Sequence, residues 1–287
     1  MPKTGKYGAA DGIACLRNWS INDLAELKEY ACSATQGMKG RQAGIRDWNG
    51  SYEAYGAQPV YMPGECFEFS GYTAPSSIDC GLGSGTGPTY TGDCVVEQVQ
   101  IVWNWESSEN IVVTTQIQGN GELVLATGEI LDEAPAIILP TRNSKGFFLW
   151  DGAQELELCV KSGTLTFTSD VKDFANSCTA GWRNRQPGIL DWTLSCESDD
   201  DDRSTLQDLE PNDIVWLRLY INQTEYYDLK WGMVQDFSGL TVNVETSDII
   251  SQTLNIASSP ADPDTGDLGA IILPDLTQYW PYVGSGS

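Results

Sequence analysis

The chain contains no histidine among its 287 residues. That removes Ser-His and Cys-His nucleophile pairs, histidine general bases and most metal-hydrolase centres. No apolar run approaches the roughly 18 residues that a membrane helix needs. The start, Met1-Pro2-Lys3, leads into Gly and Ala and not into an apolar signal region, so synthesis in the cytoplasm is expected. Basic residues are scarce: 16 Lys and Arg stand against 40 Asp and Glu, a net charge of −24. A free nucleic-acid binder is normally basic, so this surface should repel DNA and not grip it. No Cys-x-x-Cys pair occurs, and eight cysteines are few for a disulfide scaffold of this length. Buried free thiols are therefore expected, with no zinc site. The stretch Gly81 to Gly92 has no Lys-Ser/Thr after its glycines, so it is not a phosphate loop and reads as an exposed loop. The run Asp199, Asp200, Asp201, Asp202 lacks the alternating ligands and central Gly of a calcium loop, so it reads as solvated chain. No carboxylate pair stands out for glycoside hydrolysis. The expectation is no enzyme, no cofactor, no metal and no membrane.

What the chain does have is a stretch that occurs twice. Arg41-Gln42-Ala43-Gly44-Ile45-Arg46-Asp47-Trp48 returns as Arg185-Gln186-Pro187-Gly188-Ile189-Leu190-Asp191-Trp192, at an offset of 144 residues. Residues 41–53 and 185–197 share eight identities in thirteen positions without a gap. Upstream at the same offset, Cys15 meets Cys159, Lys28 meets Lys172 and Gly37 meets Gly181. A second matched block, Ala136 to Pro140 and Ala270 to Pro274, has an offset of 134. A domain-sized period means tandem domains and not a solenoid. The expected boundaries are 1–141 and 142–287. Both halves are acidic, with 7 basic and 17 acidic residues in the first and 9 and 23 in the second.

Strand patterns dominate. Cys66 to Phe69 alternates, Ile214 to Ile221 does so loosely, and Val95 to Trp105, Ile111 to Ile117, Leu240 to Val244 and Ser251 to Ile256 are β-branched or aromatic. Frequent turn residues between short strands predict a β-sandwich or barrel in each copy. One segment disagrees: Asn22 to Tyr30 reads locally as a capped helical turn, while its counterpart from Leu165 to Val171 reads as strand into turn. Irregular segments follow the motif in both copies, from Ala54 to Glu65 and from Ser198 to Asn212. Trp48 and Trp192 sit in the same register after Gly-Ile-x-Asp, so equivalent core positions are expected for both.

The second copy resembles a known family at Thr168 to Glu197. Its Thr-Ser-Asp-Val-Lys-Asp-Phe run, then Gly181-Trp182-Arg183, then Pro187-Gly188-Ile189-Leu190-Asp191-Trp192, is similar to the major tail tube proteins of long-tailed bacteriophages. Lys145-Gly146-Phe147 to Gly152 looks like that family's first strand and turn. Copy one matches less closely, at Gly37-Met38-Lys39, Ala43 to Trp48 and Gln118 to Leu123. The departure is the duplication, since such proteins usually carry one tube domain per chain.

The resemblance implies a mainly β chain of two tandem tail-tube-like β-sandwich domains, each with a short flanking helix. It implies self-assembly into rings that stack as a tube, with the tape measure, terminator and distal tail or baseplate proteins as partners. Genome DNA would pass through without tight binding, and the protein would be found in the virion. Six domains around an axis and two per chain imply three chains per ring. The loops after the motif, with Tyr55, Tyr61, Met62 and Asp199 to Asp202, are expected to meet the neighbouring ring. Glu97 and Glu245 are expected to line the lumen, because strand residues alternate faces. Other readings are a distal tail ring, tail terminator or capsid decoration protein, or a carbohydrate-binding β-sandwich.

Overall fold

The computed structural model describes residues 16–31, 38–55, 59, 61–72, 85–104, 111–130, 147–150, 155–158, 160–176, 178–199, 209–220, 225–238, 251–259 and 282–285. All regular structure among them is β-strand, and the paired strands run antiparallel. The first copy supplies β1 (Leu16–Tyr30), β2 (Gly40–Tyr55), β3 (Cys66–Tyr72), β4 (Gly85–Asn104), β5 (Val112–Gly119) and β6 (Val124–Ile130). The second copy opens with a hairpin, β7 (Phe147–Trp150) and β8 (Glu155–Leu158). It continues with β9 (Val160–Ser169), β10 (Lys172–Phe174), β11 (Asn184–Gln186), β12 (Leu190–Asp199), β13 (Ile214–Tyr220), β14 (Glu225–Ser238), β15 (Ser251–Ser258) and β16 (Tyr282–Ser285).

The two copies share one topology. In the first, the strand order is β1-β2-β5-β4, with β3 and β6 also on β4. In the second it is β9-β12-β15-β14, with β13 and β16 also on β14. The 144-residue offset carries the ends of β1 onto the start of β9 and the end of β10, and the ends of β2 onto the start of β11 and the end of β12. Copy one therefore has two long strands where copy two has two broken ones. The break has a chemical cause. Ala43, which pairs Leu27, is replaced by Pro187, which has no N–H to give to the ladder. Copy one only shifts register at this place, between Ala25 and Leu27. Beyond the break the register is common to both: Lys28↔Gln42, Glu29↔Arg41 and Tyr30↔Gly40 match Lys172↔Gln186, Asp173↔Arg185 and Phe174↔Asn184.

A turn also repeats. In Met62-Pro63-Gly64-Glu65 the Glu65 N–H donates to Met62 O at 3.0 Å, and the Glu65 carboxylate accepts from Met62 N at 2.8 Å. In Glu210-Pro211-Asn212-Asp213 the same two bonds measure 3.0 and 2.7 Å. Both third residues have positive φ, +88° at Gly64 and +82° at Asn212, as a type II turn with Pro second requires. Each turn then bonds one strand in the same way, Gly64 N to Val96 O and Asn212 N to Val234 O, both at 2.8 Å.

Two sequence expectations change. Asn22 to Tyr30 lies in β1 and is not helical, and no helix occurs among the described residues. Cross-strand partners outweigh local helix propensity there: Asn22 Nδ2 donates to Asn49 Oδ1 at 2.9 Å, and Arg46 pairs with Asp23 at 3.0 Å. Gly85 to Gly92 is not a loop but the first part of β4, with β6 on one edge and β3 on the other. β6 pairs Gly85 to Thr91 and β3 pairs Thr89 onward, and these ladders satisfy the backbone of a segment that strand propensity alone would not hold.

The chain packs as two compact units, Met1–Val99 with Val113–Ile138 and Thr168–Leu190, and Gln100–Val112 with Leu139–Phe167 and Asp191–Ser287. These units divide the chain differently from the sequence halves 1–141 and 142–287, because the β10–β11 segment of copy two packs with copy one. The core of the first unit includes Trp48, Tyr52, Phe69, Val96 and Ile117. That of the second includes Ile101, Trp103, Phe167, Leu194, Cys196, Val234 and Ile256. Fully burying side chains of this size stabilises by about 1.5–3 kcal/mol each.

Of the described cysteines, all unpaired, Cys94 and Cys196 are buried and Cys66 and Cys178 exposed. Burial raises the Cys94 thiol far above its ordinary range and pushes Cys196 up to about 12, so both stay neutral.

Candidate functional site

The most heavily bonded polar site in the first unit is where the two repeated motifs meet. It starts at Asp47 and Trp48 on β2. Trp48 is fully buried, and its Nε1 donates to Gly121 O at 3.1 Å. The indole lies so close to Gly119 that a Cβ there would meet it at 2.3 Å. Only glycine fits beneath it. The Asp47 carboxylate is held in two ways: Oδ1 accepts from Trp48 N at 2.8 Å, and Oδ2 accepts from Arg185 Nη2 at 2.7 Å.

Arg185 comes from β11 of the second motif and is almost fully buried. Its other guanidinium nitrogen donates to Gly119 O, and its backbone N donates to Asn120 Oδ1 at 2.7 Å. The backbone beside it joins β2 and the β5–β6 turn. Arg46 N donates to Gly181 O at 2.8 Å, Arg183 N to Arg46 O at 3.0 Å, and Gly121 N to Arg183 O at 3.1 Å. The Arg46 guanidinium stacks over the Trp182 ring, 4.1 Å from its centroid. Arg183 pairs with Glu26 and with Asp173, each at 2.8 Å. A buried charge needs such partners; a bare one would cost several kcal/mol.

The repeated residues thus occupy different settings. Arg41 is exposed and pairs with Glu29 at 3.3 Å, and Gln42 is exposed beside Lys28. Gly44 and Ile45 are half-buried at the register shift. Gln186 is exposed on β11, Gly188 packs against the Asp170 backbone, and Ile189 is exposed. Asp191 and Trp192 begin β12. The Trp192 N–H donates to Asp191 Oδ1 at 2.8 Å, the bond that Trp48 makes with Asp47. Yet Trp192 is only half-buried, so the expected equivalence as core residues does not extend to burial. Ser258 stands at the end of β15 where Gly119 ends β5, so copy two carries a side chain at the place where the Trp48 indole meets a glycine. Its hydroxyl bonds Asp191 Oδ1 instead.

Tyr55 ends β2 with Arg17 over its ring, and Tyr61 stacks on Phe67 at 4.0 Å. Met62 opens the repeated turn. Asp199 ends β12, pairing with Ser251. Asp200, Asp201, Asp202 and Glu245 lie outside the described residues. Glu97 is half-buried and accepts from Gln118 Nε2 at 2.6 Å. The sequence reading missed the joining of the two motifs, the Arg46–Trp182 stack and the repeated turn. The signals available for the turn were Pro63-Gly64-Glu65 and Pro211-Asn212-Asp213. Among the described residues, no group of three or more acidic or thiol side chains is placed to hold a metal ion.

No protein-family model matches the chain, and no curated protein matches it in sequence.

Proposed function

We propose that the chain is a structural virion protein of a long-tailed bacteriophage, the major tail tube subunit. Three chains form a ring of six domains, and rings stack into the conduit through which the genome leaves. The observation that carries this reading is the duplicated topology, β1-β2-β5-β4 and β9-β12-β15-β14, in which one copy's hairpin segment is already docked on the other. A head-to-tail contact repeated between like domains closes a ring when the rotation fits. Closing also covers the open edge of β1, which among the described residues pairs only β2. The resemblance around Gly181-Trp182-Arg183 supplies the identity of that ring.

In this reading each copy is a tail-tube-like β-sandwich. The segments after the motif, including Tyr61, Met62 and Asp199 to Asp202, meet the next ring. Acidic residues such as Glu97 and Glu245 face the lumen, where like charge keeps DNA from sticking. Partners are further copies of the chain and the other tail proteins. Assembly takes place in the host cytoplasm, and the mature location is the virion. Electron microscopy of concentrated purified protein tests the proposal: hollow filaments of uniform width are expected. Single rings that never stack would instead favour a terminator or distal tail protein, and protein that never associates would sink both.

A further inference from the structure

The docked segment of copy two has an undocked twin in copy one. Beyond the break, β10 and β11 pack with copy one through Arg183 and Arg185. The corresponding tip of copy one is the end of β1 and the start of β2, paired in the same register. There Leu27 is 64% exposed and Met38 77% exposed, and Tyr30 and Arg41 are exposed too. Such a tip, apolar and basic in an acidic chain, is out of place in water.

We infer that this tip docks on copy two of a neighbouring molecule of the same protein, with Arg41 reaching the partner's Asp191. One pair is unchanged between the copies, and five substitutions keep the rest of the contact chemically matched. Arg185 on Asp47 becomes Arg41 on Asp191. Arg183 on Glu26 becomes Lys39 on Asp170. The cation–π stack of Arg46 on Trp182 becomes Leu190 on Met38, where both members change together from a polar pair to an apolar one. Asp173, which holds Arg183, becomes Glu29, which holds Lys39 at 2.6 Å.

The acceptor side is open at Asp191, while the exposed Asp170 holds Lys172, a partner it would exchange for Lys39 on docking. Asp47 uses Oδ1 for the Trp48 N–H and Oδ2 for Arg185. Asp191 uses Oδ1 for the Trp192 N–H and the Ser258 hydroxyl, while its Oδ2 takes no bond among the described residues. Asp191 and Ile189 are exposed and Leu190 is half-buried. On the donor side, Arg41 waits on Glu29, the partner it would release on docking. The strand beside the tip repeats the pattern. In copy two, β9 has β12 on one side and β4 on the other, and its face is alternately buried. In copy one, β1 has β2 alone among the described residues and is mostly exposed.

The contact between molecules is weaker than the one within the chain. Where copy one offers the Asn120 amide to the tip, the residue directly after β15 is Ser259, whose side chain is shorter. Association should therefore be reversible and concentration-dependent.

The contact stands on the hairpin geometry; only the number of molecules that close a ring rests on the tube reading. Light scattering after size exclusion, on full-length protein over a concentration series, tests it with Arg41→Glu, Asp191→Arg, Met38→Glu and the double variant R41E/D191R. Circular dichroism confirms that each is folded. Each single variant should weaken association by at least about a hundredfold, since a desolvated charge loses its partner or an apolar pair gains a charge. The charge-swapped double variant should associate again. Met38 is 77% exposed, so a charge there is already solvated in the monomer and tests the contact and not the fold. Association unchanged by Arg41→Glu or Met38→Glu overturns the contact, and so does a folded R41E/D191R that remains monomeric. Mixing the two single charge variants separates contact from ring. Their tips and acceptors match only in alternation, so they should associate without closing a ring of three. Closed rings from that mixture would leave the contact standing and remove the ring of three.

Discussion

Trp48 and Trp192 follow the same Gly-Ile-x-Asp run and make the same hydrogen bond to the preceding carboxylate, yet one is sealed in a core and the other is half-exposed. The difference is made elsewhere in the chain. Gly119 leaves room for an indole, and the corresponding Ser258 carries a side chain there. Arg185 covers the Asp47 site, and nothing described covers that of Asp191. A duplicated motif keeps its local geometry but takes its burial from whatever packs on it. One copy is a filled socket and the other an open one.

The largest expected effect separates the two tryptophans. Trp48→Ala removes a fully buried indole and should cost about 3–5 kcal/mol, close to the whole stability of a marginal domain. Trp192→Ala should cost markedly less in the isolated molecule. Urea unfolding of both variants measures the gap; equal losses would mean that the two settings do not differ.

Next in size is the arginine pair. Arg185→Ala leaves the mostly buried Asp47 with only the longer 3.8 Å contact to Arg183 and should destabilise by roughly 3 kcal/mol. Arg41→Ala removes only an exposed pair with Glu29 and should change monomer stability by about 0–1 kcal/mol. The same unfolding assay, at a concentration too low for association, decides this.

A smaller effect is confined to alkaline pH. The buried Cys196 thiol is raised from 9.0 to about 12 in the folded protein. Its stabilising share is complete below pH 9, where the unfolded thiol is still protonated, and is lost as pH rises from 9 towards 12. By pH 10 the loss is on the order of 1 kcal/mol. Cys196→Ala should flatten that part of the stability profile, and an unchanged alkaline slope in the variant would contradict it.

Strand content and the duplication were legible in the sequence, since β-branched alternation and the Arg-Gln-x-Gly-Ile-x-Asp-Trp run are local features. The helical reading of Asn22 to Tyr30 failed because Asn22 and Asp23 are satisfied by Asn49 and Arg46, far away in sequence. The turn shared by Gly64 and Asn212 escaped notice because two different residues reach the same positive φ. The site itself was half legible. Similarity marks Asp47 and Arg185 as members of a repeat, but no alignment of the copies says that one copy's arginine bonds the other's aspartate.

The smallest expected effect is none at all. Both halves of the chain are acidic, so neither rings nor tubes should bind DNA measurably even at low salt. The copies differ at one candidate wall position, however. Counting from the repeated turn, the counterpart of Glu97 is the exposed Gln235. Glu97→Lys should therefore leave assembly intact and add weak, salt-sensitive DNA retention, read by mobility shift. Tight binding by the unaltered protein would exclude a passive conduit.

The most direct test of the central claim is an averaged cross-section of assembled filaments by electron cryomicroscopy. The account predicts three chains per ring, with first and second copies alternating in pseudo-sixfold order and the β1–β2 tip of each chain seated on the next chain's β12. Six chains per ring, or a tip that points away from its neighbour, would contradict it.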